Sequence, residues 1–521
     1  MRIETATFLI LIAANTIISY QVQKELGIHK ALIFTILSFF EYIIWHMFIR
    51  EYSKINDRLF DVKSWLMGSY ANFYGQSEGN RWTPSWLVKQ KMKNGDLFID
   101  KFRFDGSVLR NFKFFSFKKW FNNFDCYMIP SDLKKGGIVF GSMGAGKTEL
   151  FHSILSQPEF DRKFIYDSKG DFTQKHYRSN RDIILNPYDA RGHVWNPFEE
   201  ANTSPFVVGI FMTNLFNAIA GDKKDFFSAG SQDRYMELFN SIQYMDSKLT
   251  AKQKFDLFIK LLKEYFEAPQ TQSRTSEADI ASTMKLSFEF FDYMNFCIQN
   301  GSPTFTIHNY LSQKNCDLFL LSRDDQKSKL TAFFTGFLAA FVAVMLSQED
   351  RDSLTLLALD EYLSFVRNMD SETIESLHVR IRSKGGCLLP GVQFFPDDHL
   401  SDGLTQKILN STTYWFLFQG IDEYTLNKIG STVGKVRYKK EQAKDIRAER
   451  FANKDYSIEE SDLLNISIFH SLGEKYEHIT FIPSRKILYK GYTPQVKLKN
   501  RNESFIQSEN IAKFYQQKSR A

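Results

Sequence analysis

Residues 136–155 read GGIVFGSMGAGKTELFHSIL, and this stretch decides the fold class: an apolar run ending at Phe140, a glycine-rich turn, then a helix-compatible segment. Within it Gly141, Ser142, Met143, Gly144, Ala145, Gly146, Lys147 and Thr148 fit the pattern GxxxxGK[ST]. Side chains must be absent where backbone N–H groups close around phosphate oxygens, and the N-terminus of the following helix adds partial positive charge. Lys147 would reach the β- and γ-phosphates of a nucleotide, and the Thr148 hydroxyl would ligate Mg2+. A strand before the turn and a helix after it set this apart from a chance match to eight positions.

The partner acid of such a loop should end another buried strand. Leu354-Thr355-Leu356-Leu357-Ala358-Leu359 followed by Asp360-Glu361 has that form. Adjacent charges at a buried strand end need a partner or a task. Asp360 would hold Mg2+, usually through water, and Glu361 would polarise the attacking water, which favours ATP hydrolysis over nucleotide storage.

Working outward, short β-rich runs recur at residues 163–167, 182–185, 317–321, 387–392, 414–419 and 478–482, separated by segments with helical spacing. That alternation predicts an α/β core with a largely parallel sheet. Between about residues 202 and 300 the strand signals disappear. There Phe255, Phe258, Leu261, Leu262, Tyr265 and Phe266 recur at three- and four-residue intervals, a helix face ending before Pro269 that reads as the core of an all-helical insertion.

A chain of 521 residues with 43% hydrophobic and 24% charged residues has the composition of two or three folded domains, not of a disordered polymer. Its net charge of +6 is too small for that length to mark a nucleic-acid binder. Cys126, Cys297, Cys316 and Cys387 form no CxxC pair, which excludes a zinc ribbon and a disulfide-stapled fold and leaves buried thiols. Residues 112–120, with alternating aromatic and basic side chains, read as a strand with solvent-facing lysines. Residues 435–450 carry seven basic and three acidic residues, and read as a solvated helix face.

Residues 5–22 lack charge and are long enough to cross a hydrocarbon layer of roughly 30 Å. Residues 31–49 form a second apolar run that contains Glu41 and His46. Arg2 before the pair and Arg50, Lys54, Arg58 and Lys63 after it, against Lys24 and Lys30 between, place both ends in the cytoplasm. The expected organisation is a two-helix membrane anchor over 1–60, a membrane-proximal segment over 61–130 and a nucleotide-binding domain in two parts, 131–201 and 301–500. The helical insertion occupies 202–300, and a polar tail or terminal helix follows from 501 to 521.

This combination resembles the type IV coupling proteins, hexameric inner-membrane ATPases of bacterial conjugation and type IV secretion. The resemblance rests on the anchor, GSMGAGKT, Tyr166-Asp167-Ser168-Lys169-Gly170-Asp171, and Asn186-Pro187-Tyr188-Asp189-Ala190-Arg191-Gly192 leading to Trp195-Asn196-Pro197-Phe198. It covers most of residues 1–440. It implies a RecA-like P-loop ATPase domain with an inserted all-helical domain and an N-terminal transmembrane hairpin, using ATP and Mg2+. It also implies that Arg382, with Arg380 beside it as the alternative, reaches a neighbouring subunit's γ-phosphate, and that Gln393 senses the γ-phosphate or water. Asp167 and Lys169 belong to the resemblance without an assigned chemistry. Pro390 departs from it, since a proline removes a ladder donor from the strand that should lead to Gln393.

The implied partners are single-stranded DNA bound without sequence specificity, relaxase or effector proteins, channel components and further copies in a homo-hexamer at the bacterial inner membrane. Two other functions fit the same residues: a coupling ATPase for protein effectors only, and a docking platform with little hydrolysis.

Overall fold

The computed structural model describes residues 97–102, 124–128 and 136–520, apart from 222–225, 246–247, 268–274, 350–352, 395–401, 442–455, 465–467, 470–471, 473–475 and 486. The expected transmembrane hairpin and the basic-aromatic run at 112–120 lie outside the described residues. The chain divides into two compact units, and the larger, Ser77–Asp105, Ser116–Arg437 and Glu460–Ala521, carries the main sheet and the site.

That sheet has eleven strands. In chain order they are β1 (Leu97–Phe102), β2 (Phe124–Met128), β3 (Gly137–Phe140), β4 (Arg162–Asp167), β5 (Ile183–Ile184), β6 (Cys316–Leu321), β7 (Thr355–Leu359), β8 (Gly386–Val392), β9 (Tyr414–Leu417), β10 (Glu477–Ile482) and β11 (Ile487–Tyr492). Their spatial order is β2-β1-β11-β10-β9-β3-β8-β7-β4-β6-β5. The seven strands from β9 to β5 are parallel, and β10, β11, β1 and β2 extend the sheet in antiparallel fashion. All six β-rich runs read in the sequence are strands of this sheet, and β3 and β7 end next to the glycine-rich turn and the acid pair. Strands β7 and β8 are buried throughout, as parallel strands covered on both faces must be, so their sequences run apolar without alternation.

Pro390 nevertheless lies in a central strand. Strand β8 pairs with β7 over residues 386–390, whereas its pairing with β3 begins at Gly391. The Val392 carbonyl accepts from the Gly141 N–H on the β3 side. Residues two apart point the same way, so the missing donor of Pro390 also faces β3, just before that ladder starts. The objection from the sequence fails because the flank that Pro390 faces has no ladder there to lose.

Helices α1 (Lys147–Leu155), α2 (Val207–Ala220), α3 (Phe226–Gln243), α4 (Ala251–Glu267), α5 (Thr275–Gln299) and α6 (Lys327–Ser347) follow in chain order. The four from α2 to α5 lie between β5 and β6. On α4, Phe255, Phe258 and Leu262 are buried with Ile259, while Leu261, Tyr265 and Phe266 are half-buried, so the aromatic stripe is packing. Phe258 meets the rings of Phe198, Tyr235 and Phe239 within 6.3 Å. Such ring contacts add about 0.5–1.5 kcal/mol each beyond the area they bury.

Helix α6 covers one face of the sheet. Among the described residues it alone is long and apolar enough to cross a membrane, with a mean hydropathy of 2.1 over Lys329–Ser347. Here 72% of that window is buried against protein: Phe341 and Phe337 stack on Phe164 of β4 at 4.5 and 6.3 Å. Gly336 lets α2 approach closely, since a Cβ there would lie 2.7 Å from the Phe211 carbonyl oxygen.

One further expectation meets a different structure, while the terminal helix expected after Arg501 is present. The basic run starting at Lys435 begins as a strand, Lys435–Glu441, paired with Tyr456–Asp462, because β-branched and aromatic residues alternate with its first basic side chains. The polar residues from Arg501 onward form a strap and then a helix, α7 (Asn510–Lys518). The Arg501 and Asn502 N–H groups donate to the Gln174 carbonyl, and Phe514 packs on Tyr293 and Phe296 of α5. Cys297, Cys316 and Cys387 are buried free thiols, and burial pushes Cys297 up to about 11.

Candidate active site

The glycine-rich turn joins β3 to α1 with its backbone fixed from both sides. Gly141 N–H donates to the Val392 carbonyl at 3.1 Å, and Ser142 N–H to the Gln419 carbonyl at 2.9 Å. Gly146 caps α1 with φ of 118°, a left-handed value that L side chains rarely adopt, and a Cβ there would sit 2.8 Å from the Tyr476 ring. The strand therefore delivers the chain through a tethered turn straight into the N-terminus of a helix, the end that carries partial positive charge.

Lys147 folds back into this turn, its Nζ donating to the Gly141 and Ser142 carbonyls at 2.6 and 3.0 Å. Burial lowers its pKa, while Asp360 and Glu361 pull it the other way. The Thr148 hydroxyl donates to Asp360 Oδ2 at 3.4 Å. Burial raises the Asp360 pKa against the opposing charge of Lys147. Gly391 of β8 is where the acid fits: a Cβ there would lie 2.9 Å from Asp360 Oδ1.

Glu361 follows with φ of 63°, unusual for a residue with a side chain, and its Oε2 lies 2.6 Å from Lys327 Nζ at the start of α6. The next residue, Tyr362, donates its backbone N–H to the Gly391 carbonyl, which ties this strained corner to β8. Ser142, Met143, Gly144, Gly146, Lys147, Thr148, Asp360, Glu361 and Gln393 line one cleft of about 360 Å³, joined by Glu149, Lys169, Gly391 and Tyr476.

The donor set suits a triphosphate with a hard divalent cation. A hydroxyl and a carboxylate 3.4 Å apart are oxygen ligands of the kind Mg2+ takes, and Mg2+ commonly uses one or two protein ligands and completes its shell with phosphate and water. Gln393 is exposed just past the end of β8, facing the same space.

Arg382 is not brought to this cleft. It is exposed in the turn Ile381–Lys384 before β8, so a seven-residue strand, about 23 Å long, separates it from Gln393. Arg380 contacts Ser376 Oγ at 3.3 Å and Glu372 at 4.0 Å. Asp167 does not face the cleft either. Fully buried, it accepts from the Gly170 and Thr173 N–H groups at 2.9 and 2.6 Å and so shapes the turn that carries Lys169.

Asn186, Asp189 and Asn196 of the remaining motif are structural, as is Glu200 just beyond it. Asn186 Nδ2 donates to the Leu321 carbonyl at 3.0 Å, and Glu200 accepts from Trp195 Nε1 at 2.9 Å and from the Ile307 N–H at 2.6 Å. Lys327 and Tyr476 are two further residues of this region that no motif marks. Neither sits in a recognisable pattern, because Tyr476 lines the cleft and Lys327 meets Glu361 only through the arrangement of distant segments.

Residues 128–461 match the family model described as the type IV secretion-system coupling protein DNA-binding domain. The coupling protein TraD of Escherichia coli is 26% identical over 280 residues, which are 49% of this chain and 37% of TraD, so the chain spans little more than a third of that relative. The fold is also that of the plasmid coupling protein TrwB. The TrwB structure in complex with the non-hydrolysable ATP analogue ADPNP superposes with a TM-score of 0.61 at 15% identity, covering 83% of this chain and 98% of that one. A second TrwB structure, with ADP and Mg2+, gives a TM-score of 0.59 at 16% identity over 83% of this chain and 97% of that one. With a family model matching well over half of its residues and the phosphate-binding turn and acid pair inside the matched span, this chain belongs to the type IV secretion-system coupling protein family.

Proposed function

We propose that this chain is a membrane-anchored motor that couples ATP hydrolysis to transfer of single-stranded DNA, with its attached relaxase, through a type IV secretion channel. The observation that carries the reading is the single cleft uniting Lys147, Thr148, Asp360, Glu361 and Gln393 in a member of a coupling-protein family. The loop N–H groups and Lys147 would hold the phosphates, and Thr148 and Asp360 would hold Mg2+, which would supply neutralisation of phosphate charge. Glu361 polarises the attacking water and takes its proton, and Gln393 orients that water or the γ-phosphate.

Arg382 completes the site of a neighbouring copy in a homo-hexamer. Its place at the opposite end of the sheet fits a role in trans, and exposure leaves it available. The N-terminal hairpin holds the assembly at the bacterial inner membrane with the bulk of the chain cytoplasmic. DNA is held through its phosphates, so engagement is independent of base sequence and weakens with salt.

The test is ATP turnover by the full chain with and without single-stranded DNA across a salt series. Hydrolysis that Lys147→Ala abolishes and that DNA stimulates at low salt supports the motor. Turnover indifferent to DNA favours a pump for protein effectors, and nucleotide binding without turnover favours a docking platform.

A further inference from the structure

We infer that Lys169 is a second phosphate-contacting cation of the cleft, engaging the terminal phosphate of a bound nucleoside triphosphate from the wall opposite the glycine-rich turn. This rests on the reading of the cleft as an ATP site. Strand order supplies the geometry. The turn lies at the end of β3, the acids at the end of β7, and Lys169 follows β4, which flanks β7 on the side away from β3. Lys169 therefore faces the turn across Asp360 and Glu361, and it lines the same cleft. Its charge is felt by both Lys147 and Asp360.

The backbone beneath it is fixed. Asp167 clamps the Gly170 and Thr173 N–H groups, Gly170 has φ of 80°, and a Cβ on Gly170 would meet Ser504 of the C-terminal strap at 2.7 Å. Such bracing at a cleft edge holds the turn in one place, as a contact to a small anion requires. The Lys169 side chain itself is exposed and makes no ion pair among the described residues. An ammonium is a compact point charge that suits a phosphate oxygen carrying the negative charge left uncompensated by Lys147 and one divalent ion. Because Lys169 stands on the side of the acids, it contacts the phosphate that leaves and not those that remain in ADP.

The experiment compares ADPNP and ADP binding, each with Mg2+, for the full chain and for Lys169→Ala and Lys169→Arg, together with steady-state ATP hydrolysis. Lys169→Ala should weaken ADPNP at least tenfold while leaving ADP within twofold, and should lower kcat; Lys169→Arg should recover most of the ADPNP affinity. Equal weakening of both nucleotides, or no change in ADPNP, overturns the assignment, and unchanged ADP binding shows that the variant is folded. An unmodified chain that binds neither nucleotide overturns the ATP-site reading as well, which separates the two failures.

Discussion

The Thr148 hydroxyl lies 3.4 Å from Asp360 Oδ2 although 212 residues separate them in the chain. The contact closes the cleft between the glycine-rich turn and the acid strand. Asp360 must be ionised to serve as a cation ligand, and burial raises its pKa. The acid limb of kcat/KM for Mg-ATP should therefore fall at a higher pH than the ordinary aspartate value near 4. Asp360→Asn should remove that limb and cut kcat/KM on the order of 100-fold. A pH–rate profile of both proteins checks it, and an acid limb retained in the variant would assign the titration elsewhere.

Lys327 should act through Glu361. With its Nζ 2.6 Å from Glu361 Oε2, it fixes a carboxylate that leaves the strand with left-handed backbone geometry. Lys327→Ala should lower kcat roughly tenfold with little change in KM, and Lys327→Arg should recover much of it. Both side chains are partly exposed, so the change in stability should stay below about 1 kcal/mol. Steady-state kinetics beside thermal unfolding separate these effects.

Gly391→Ala should be costly out of proportion to one methyl group. The new Cβ would stand 2.9 Å from Asp360 Oδ1 and 3.2 Å from the Phe151 ring, so the carboxylate or β8 must move. Overpacking of this kind costs about 1–3 kcal/mol. A Mg2+ titration of nucleotide binding should show a weakened divalent requirement site, and an unchanged titration midpoint would show that the acid is not displaced.

Acid should destabilise the fold through histidines as well. His152 Nδ1 lies 3.0 Å from His176 Nε2, and burial holds the two at about 4 and about 3. Their folded pKa values lie below the unfolded value of 6.5, so stability present above that pH is lost as pH falls from it toward about 4. Each buried neutral histidine should cost about 2 kcal/mol at pH 5 relative to pH 7. Urea unfolding at the two pH values measures the loss, and His152→Gln should shrink it.

The C-terminal strap should contribute to stability through one buried pair. Arg191 Nη2 meets Asp189 Oδ2 at 2.7 Å, Arg191 Nη1 donates to the Glu503 carbonyl at 3.0 Å, and the Ile506 N–H donates to Asp189 Oδ2 at 3.1 Å. Arg191→Ala leaves the fully buried Asp189 carboxylate without its cation and should destabilise the chain by about 3 kcal/mol or more. Denaturant unfolding checks the magnitude, and loss below about 1 kcal/mol would mean the strap is held by its backbone bonds alone.

Residue type and spacing alone settle the local parts: the turn from Gly141 to Thr148, the apolar run into Asp360-Glu361, the β-rich runs and the aromatic face of α4. These are patterns over a few to twenty residues, where backbone conformation and burial follow directly from residue type and spacing. The tertiary structure decided what depends on strand order. It placed Pro390 in a central strand because the flank it faces has no ladder at that residue, and buried α6 against Phe164 although its composition would suit a membrane. It also brought Lys327 and Lys169 to the acids and Tyr476 to the glycine-rich turn, and set Arg382 a strand's length from the acids. Such neighbours come from distant segments and carry no mutual spacing to read, since their adjacency arises only when parallel strands fix which chain ends share one edge of the sheet.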